Sequence, residues 1–401
     1  MVRASLFLLF IALLPGCNTI LENTLPFHYP EGQYAGAELR YIHEVPVLTV
    51  QGTPEEMGEQ IAELAIKPSP KLADYPHDLL DRVWAGWTWD YFMKQGKKLL
   101  PQFPDDHRRE MNAMIRHSPQ LPADAIIAGN TLFDVKKMVA CSSIIVEPSR
   151  ARSGAGLLGR NLDFPDMGYL HEYTLVTVYR PNGKHAFASV GFPGMVGVLS
   201  GINDAGLALT MHEVYQSADG APKFDDKGVP YALVYRRVME ECTTIEEAAA
   251  LIASVPRTTS TNVALIEASG RGAVIEVSAR SVVVRPANNG VNHCTNHFES
   301  KPLRPFLLWN MYGTLERNKT LQDYHEKPSF SVLDVTHALG NVHKGTHTVQ
   351  SMVFQVKTNP QPAYLLHLAM GPVPVTANPY QTVDLTPLLL PATTGAGTIS
   401  K

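Results

Sequence analysis

The stretch Met138-Val139-Ala140-Cys141-Ser142-Ser143-Ile144-Ile145-Val146 decides how the rest of the chain is read. A small residue and a thiol lead into a β-branched run, which predicts a strand. Arg150-Ala151-Arg152-Ser153-Gly154-Ala155-Gly156 then has the composition of a hairpin loop. A second strand is predicted over Leu157–Phe164, carrying Gly159-Arg160-Asn161-Leu162-Asp163-Phe164. If these strands pair, Arg160 and Asp163 return alongside Cys141.

That neighbourhood suits a cysteine exposed by cutting the chain in front of it, at Ala140–Cys141. The new α-amino group then serves as base to the thiol, a variant of activating a nucleophile by an adjacent base. A cation at Arg160 favours the thiolate, and a carboxylate at Asp163 holds or orients the α-ammonium. The bland alternatives are a buried packing thiol and an exposed ion pair at a strand end.

Outward from this point the texture differs on the two sides. Downstream, Tyr173–Tyr179 and His185–Val190 flank an Asn182-Gly183 turn, and Met195–Ser200 pairs with Leu207–Met211. Helices are predicted over Tyr231–Cys242, Thr244–Ser254, Pro305–Gln322 and Val332–Leu339, and strands over Asn262–Glu267, Ala273–Val277, Met352–Lys357 and Tyr364–Met370. Hairpins, then helices, then more hairpins suggest stacked antiparallel sheets sandwiched by helices. Upstream, Val47–Val50 reads as a short strand, and Thr53-Pro54-Glu55-Glu56 as a helix start with a capping box. Apolar positions recur at three and four from Tyr75 to Ile115, and Ala123–Met138 is a further helix.

A second cluster is His293-Cys294-Thr295-Asn296-His297-Phe298. No second ligand pair follows at zinc spacing, so a metal is disfavoured. The neutral amide of Asn296 suits an oxyanion hole, since it donates to developing charge without titrating; a turn asparagine is the plain alternative. His337, His343 and His347 straddle a glycine-containing loop and suit surface or packing roles.

The 401 residues are 45% apolar and 18% charged, with a formal charge of −4, a globular composition with no basic field for nucleic acid. Met1-Val2-Arg3 precedes an apolar run from Ala4 to Leu14 of about eleven residues, short for a membrane span and suited to a secretory h-region. Leu14-Pro15-Gly16-Cys17 resembles the bacterial lipobox, which predicts lipidation at Cys17, with a plain signal peptide as the alternative. Asn18 favours the outer membrane, facing the periplasm. If Cys17 is lipidated and Cys141 catalytic, Cys242 and Cys294 are left as a possible disulfide.

Taken together, Cys-Ser-Ser with Gly-Arg-Asn-x-Asp-Phe, Gly201-Ile202-Asn203-Asp204-Ala205-Gly206-Leu207-Ala208, Thr295-Asn296-His297-Phe298 and Thr348-Val349-Gln350-Ser351-Met352-Val353-Phe354 resemble the N-terminal-nucleophile cysteine hydrolases. The pattern is most similar to the acyl-coenzyme A:isopenicillin-N acyltransferase family, with choloylglycine hydrolases, penicillin V acylases and acid ceramidase more distant. It runs in order over about residues 47 to 372, and Gly52–Gly58 resembles the start of that family's pro-region. Ala140 stands where the family often has Gly, and Ser142 where Thr is frequent.

The resemblance implies an α+β fold, a four-layer αββα sandwich of antiparallel sheets, and autoproteolysis between Ala140 and Cys141. It implies Cys141 as nucleophile supported by Arg160 and Asp163, Asn296 in the oxyanion hole, and a further arginine, Arg317 with Arg304 as the alternative. A backbone donor near His212 or Glu213 would complete the hole. The chain then divides into a signal peptide (1–16), a lipidated N-terminus and tether (17–46), a helical pro-region (47–140) and a catalytic region (141–401). No cofactor or metal is implied. The partners expected are a small N-acyl amide, the cleaved pro-fragment and a membrane reached through the lipid. The activity implied is hydrolysis of an N-acyl amide through a Cys141 thioester. Acyl transfer to an amine, or a degenerate lipid-anchored binding protein, are the alternatives.

Overall fold

The computed structural model describes residues 26–83, 88–358 and 360–390. The signal peptide and Cys17 lie outside the described residues. Among the described residues no helix is long and apolar enough to cross a membrane.

The strands of the first part are β1 (Gly32–Tyr34), β2 (Ala37–Ile42) and β3 (Val45–Gly52). Helices α1 (Pro54–Ile61), α2 (Tyr75–Val83), α3 (Trp89–Leu99), α4 (Asp105–His117) and α5 (Ala123–Val135) follow. Then come β4 (Ala140–Val146), β5 (Gly156–Asp163), β6 (Leu175–Pro181), β7 (Phe187–Gly191), β8 (Ser200–Asn203) and β9 (Ala208–Glu213). Helices α6 (Tyr231–Glu241) and α7 (Ile245–Ser254) lead to β10 (Thr261–Ile266), β11 (Gly272–Val277), β12 (Val282–Pro286) and β13 (Val291–Cys294). The chain closes with α8 (Thr314–Asp323), α9 (Val332–Gly340), β14 (Thr348–Lys357), β15 (Ala363–Ala369), β16 (Tyr380–Asp384) and α10 (Thr386–Leu389).

Among the described residues these strands make two sheets. The larger runs β1-β2-β3-β6-β7-β8-β9-β10-β11-β12, the smaller β13-β4-β5-β14-β15-β16. Side-chain alternation shows how they stack. Ala264 and Ile266 of β10 pack in one core with Ile145, Met352 and Phe354 of the smaller sheet, whereas Val263 and Leu265 face the helices α1, α4, α6 and α7. On the far side, Ile144 and Val353 pack against Val335, Ala338 and Leu339 of α9. Helix, sheet, sheet and helix are thus the four layers, an α+β sandwich. Strands buried on both faces carry apolar residues on both, as Ile144-Ile145-Val146 of β4 and Val263-Ala264-Leu265-Ile266 of β10 do. Close approach is built in at Gly159 of β5, where an added Cβ would lie 2.5 Å from Val335 Cγ1.

Capping boxes at Thr53/Glu56 and Thr244/Glu247 start α1 and α7. Several expectations need correcting. The tether of 17–46 is strand from residue 32 to 42, where Ala37 and Leu39 alternate inward. The short strand read at Val47–Val50 is present as part of β3, and it joins β6 in parallel from Val47↔Val176 to Gly52↔Pro181, where only antiparallel pairing was expected. Met195–Ser200 is not a strand; Gly197 packs on Ala232, and pairing begins only at Ser200. The helix expected over Pro305–Gln322 begins at Thr314, after left-handed Tyr312 and Gly313. Cys242 and Cys294 are both free thiols, one in the core under the helices and the other between the sheets.

The first 140 residues are also locked to the rest of the chain by charge. Buried Arg236 of α6 donates to both carboxylate oxygens of Glu110 on α4, at 2.8 and 2.5 Å, and through Nε to Glu240 at 2.8 Å. Removing Glu110 leaves the buried guanidinium with one carboxylate partner, Glu240, and takes the acceptor from Nη2, so Glu110→Ala is expected to cost about 1–3 kcal/mol. The measurement is the urea midpoint, and a midpoint unchanged from wild type would show that the pair holds nothing.

Candidate active site

Strand β13 pairs with β4 only from Val291↔Val146 to Cys294↔Ser143. Two residues on, where the ladder would reach Cys141, the chain turns away and side chains take its place. Cys141 N–H donates to Asn296 Oδ1 at 3.0 Å, and Cys141 C=O accepts from Arg317 Nη1 at 2.5 Å. Arg317 also donates to Asn296 Oδ1 and to Ser142 Oγ, both at 2.8 Å. The two backbone groups of one residue are therefore satisfied by side chains from outside the strand.

The thiol points the other way, into the space between the sheets. Arg160, paired with Ser143 across the hairpin, donates Nη2 to Cys141 Sγ at 3.2 Å. The same guanidinium reaches the larger sheet, donating to Leu199 C=O at 2.9 Å, Met211 C=O at 3.1 Å and the Ser200 hydroxyl. Cys141 is fully buried, and burial raises its thiol pKa more than the Arg160 charge and hydrogen bond lower it. Arg160 acts in the expected direction, toward the thiolate, but in the continuous chain burial outweighs it and the balance favours the thiol.

Asp163 stands across from Ala140 in the ladder. Its Oδ1 accepts from Thr348 at 2.5 Å, while Oδ2 is buried without a hydrogen-bond partner. Burial raises its pKa, opposed first by Arg317. An orphaned carboxylate oxygen beside the backbone of Ala140–Cys141 is a ready acceptor for a cation there.

Glu213, expected to offer a backbone donor, makes its observed contacts as an acceptor. Its backbone carbonyl accepts from Asn296 Nδ2 at 2.9 Å, and its carboxylate accepts from Val139 N–H at 2.9 Å. Asn296 Nδ2 also reaches Val139 C=O at 3.3 Å, as does the Tyr215 hydroxyl. Asn296 thus spends its donors on carbonyls, one of them on the upstream side of the Ala140–Cys141 bond. Nearby, His212 Nε2 meets Ser143 Oγ at 2.9 Å and its Nδ1 lies 3.4 Å from Cys294 Sγ.

The structure therefore brings together Cys141, Arg160, Asp163, Asn296, Arg317 and Glu213. Arg304 is exposed on a loop and is not among them. His293 turns instead to His325 at 2.8 Å, and His297 to Thr314 at 2.9 Å. Thr348 and Ser142 were missed as partners because nothing local marks a hydroxyl that serves a distant charge. His347, read as surface or packing, lines a cavity of about 380 Å³ with Met138, Ala140, Asp163, Phe164 and Tyr312. Beyond Phe164 lies a second, almost wholly apolar cavity of about 90 Å³, walled by both parts of the chain through residues such as Leu72, Tyr75, Ile126 and Phe192.

A stacked pair of antiparallel sheets between helices, with a cysteine opening an inner strand, defines the N-terminal-nucleophile class. The acyl-coenzyme A:6-aminopenicillanic acid acyl-transferase family matches residues 149–358, just over half of the 401, and the chain belongs to that family. An uncharacterized protein of Archaeoglobus fulgidus is 31% identical over 283 residues, 60% of this chain and 44% of the relative. An acid ceramidase of Balaenoptera acutorostrata scammoni is 28% identical over 175 residues, 38% of this chain and 42% of the relative. The chain thus spans less than half the length of these curated relatives. Among solved structures, the N-acylethanolamine-hydrolyzing acid amidase ortholog of Caenorhabditis elegans aligns with a TM-score of 0.40 and 21% identity, covering 53% of this chain and 92% of that one.

The polar cluster upstream of Cys141 yields a pH prediction. Burial pushes the Glu213 carboxyl from 4.5 up to about 8 and that of Asp134 from 3.8 up to about 7, while Lys137 falls to about 8. A carboxyl raised on folding gives stability that is full below its unfolded pKa and is lost as pH rises toward the folded one. Wild type should therefore lose stability between pH 4.5 and about 8 through Glu213. Glu213→Gln keeps an acceptor for Val139 and should flatten that decline, leaving the Asp134 share below pH 7. Urea midpoints across this range check it; an unaltered slope in the variant would remove Glu213 from the account.

Proposed function

We propose that the protein is a cysteine amidohydrolase, activated by cutting its own Ala140–Cys141 bond and acting on N-acyl amides. The observation that carries this reading is the convergence on one residue of three side chains remote in sequence. Asn296 holds the Cys141 N–H, Arg317 its C=O and Arg160 its Sγ.

In the first step Sγ attacks the Ala140 carbonyl carbon, the Ala140–Cys141 C–N bond breaks, and the thiol proton ends on the departing nitrogen. Water hydrolyses the resulting thioester, freeing the Ala140 carboxylate and restoring the thiol. The new α-amine has an ordinary pKa near 8 and serves as base. Its protonated form is matched by the unpartnered Asp163 Oδ2. Departure of Val139 from the site also returns a donor of Asn296. That donor then suits the oxyanion formed when Sγ attacks a substrate amide, with the backbone at Glu213 as the candidate second donor. The amine leaves with the proton from the α-ammonium, and water activated by the α-amine releases the acid.

The cavity beside Ala140 and the apolar one beyond Phe164 support an apolar acyl group. Acyl transfer to an amine needs only an amine in place of water at the last step. An exported lipoprotein anchored through Cys17 and facing the periplasm would meet little acyl-coenzyme A, and this favours hydrolysis.

Intact mass of the purified protein is expected to show a break between Ala140 and Cys141, whereas Cys141→Ala stays joined. Active protein that is uncut at this bond would overturn the mechanism. Asn296→Ala should lower turnover of an N-acyl amide by roughly 10²–10³. Running the assay with and without an added amine separates hydrolysis from transfer by the product formed.

A further inference from the structure

Between β13 and α8 the chain makes a loop whose apolar residues point outward. Phe306 is 101% exposed, Leu307 74% and Trp309 53%. Such a cluster at one tip differs from the scattered apolar residues of an ordinary surface.

The loop is held at both ends. Leu303 is buried against Val214 and Phe298, and its carbonyl accepts from Ala218 N–H at 2.9 Å. Trp309 N–H donates to Gln216 Oε1 at 2.6 Å, and Leu315 N–H to Asn310 Oδ1 at 3.0 Å. The tip is therefore presented by a fixed frame.

Charge around the tip has one dominant sign. Lys301 and Arg304 are exposed at its base, and Lys223 Nζ lies 4.9 Å over the Trp309 ring. Lys344 lines the cavity mouth together with Tyr312. The neighbouring carboxylate Glu316 accepts from Asn310 at 2.8 Å and offsets the charge of Lys344, which leaves Lys223, Lys301 and Arg304 as the cations nearest the tip. Apolar and aromatic side chains at a tip, ringed by cations, match a bilayer surface: the rings enter the headgroup boundary while the cations meet lipid phosphates.

We propose that the 304–310 loop docks on an anionic phospholipid bilayer. This contact is separate from any anchor at Cys17, and it stands without the catalytic reading. Only its consequence rests on that reading: Tyr312 follows directly and lines the cavity beside Ala140 and Asp163, so docking would turn the site's mouth toward amides held in the membrane.

The test uses the mature protein with phosphatidylcholine vesicles, with and without phosphatidylglycerol, and brominated acyl chains as quencher. Subtracting the signal of Trp309→Phe isolates Trp309. Its emission is expected to shift to the blue and be quenched, more strongly with phosphatidylglycerol. Phe306→Asp with Leu307→Asp should lose the quenching, and Lys301→Glu with Arg304→Glu should lose the dependence on phosphatidylglycerol. Both double variants should keep wild-type turnover of a short soluble amide. Trp309 emission indifferent to vesicles would overturn the proposal. So would a Trp309 shift that follows protein concentration without lipid, which assigns the tip to a second copy of the chain. Failure of the catalytic reading would appear instead as absent cleavage or turnover, with lipid quenching intact.

Discussion

The site depends on the early end of one strand. β13 stops at Cys294, opposite Ser143, and so leaves the N–H and C=O of Cys141 without ladder partners. Buried backbone groups left unpaired are costly, and here two side chains meet the need. Asn296 takes the N–H and Arg317 the C=O. On the β13 side the start of β4 is held by side chains instead of a ladder, and on the β5 side Ala140, opposite Asp163, is its first paired residue.

Around that edge the electrostatics are governed by burial. Cys141, Asp163 and Glu213 all have raised pKa values because desolvation outweighs the cations near them. In the uncut chain the thiol is protonated and Asp163 has an oxygen without a partner. A neutral α-amine created beside them would answer both conditions in turn: it would take the thiol proton and, once positive, pair with the carboxylate. The order of events in the proposed mechanism follows from this: charge balance at the site improves only after the bond is cut.

The two regions also share more than a junction. The parallel pairing of β3 with β6 and the buried Arg236–Glu110 pair join the first 140 residues to the rest. Both parts wall the apolar cavity next to Phe164. Under the proposed cut at Ala140 the first part would keep these contacts and stay in the working molecule.

Much of this was legible from the sequence alone, for local physical reasons. The hairpin around Gly154, the capping boxes at Thr53 and Thr244, and the alternation or apolar runs of most strands are short-range signals, and they set the layers of the fold. Cys141, Arg160 and Asp163 lie on the two arms of one hairpin, so register alone brings them close. Asn296 and Arg317 rested on resemblance, since nothing nearby distinguishes Arg317 from Arg304. Tertiary structure decided between those arginines, because α8 carries Arg317 to the unfinished edge of β4 while Arg304 stays in solvent. It also set burial against Arg160 at the thiol, and it gave the Glu213 carbonyl and carboxyl to Asn296 and Val139 as acceptors. It made strands of residues 32–42 as well. Each of these depends on what surrounds a group in three dimensions, and burial and long-range pairing leave no trace in local sequence.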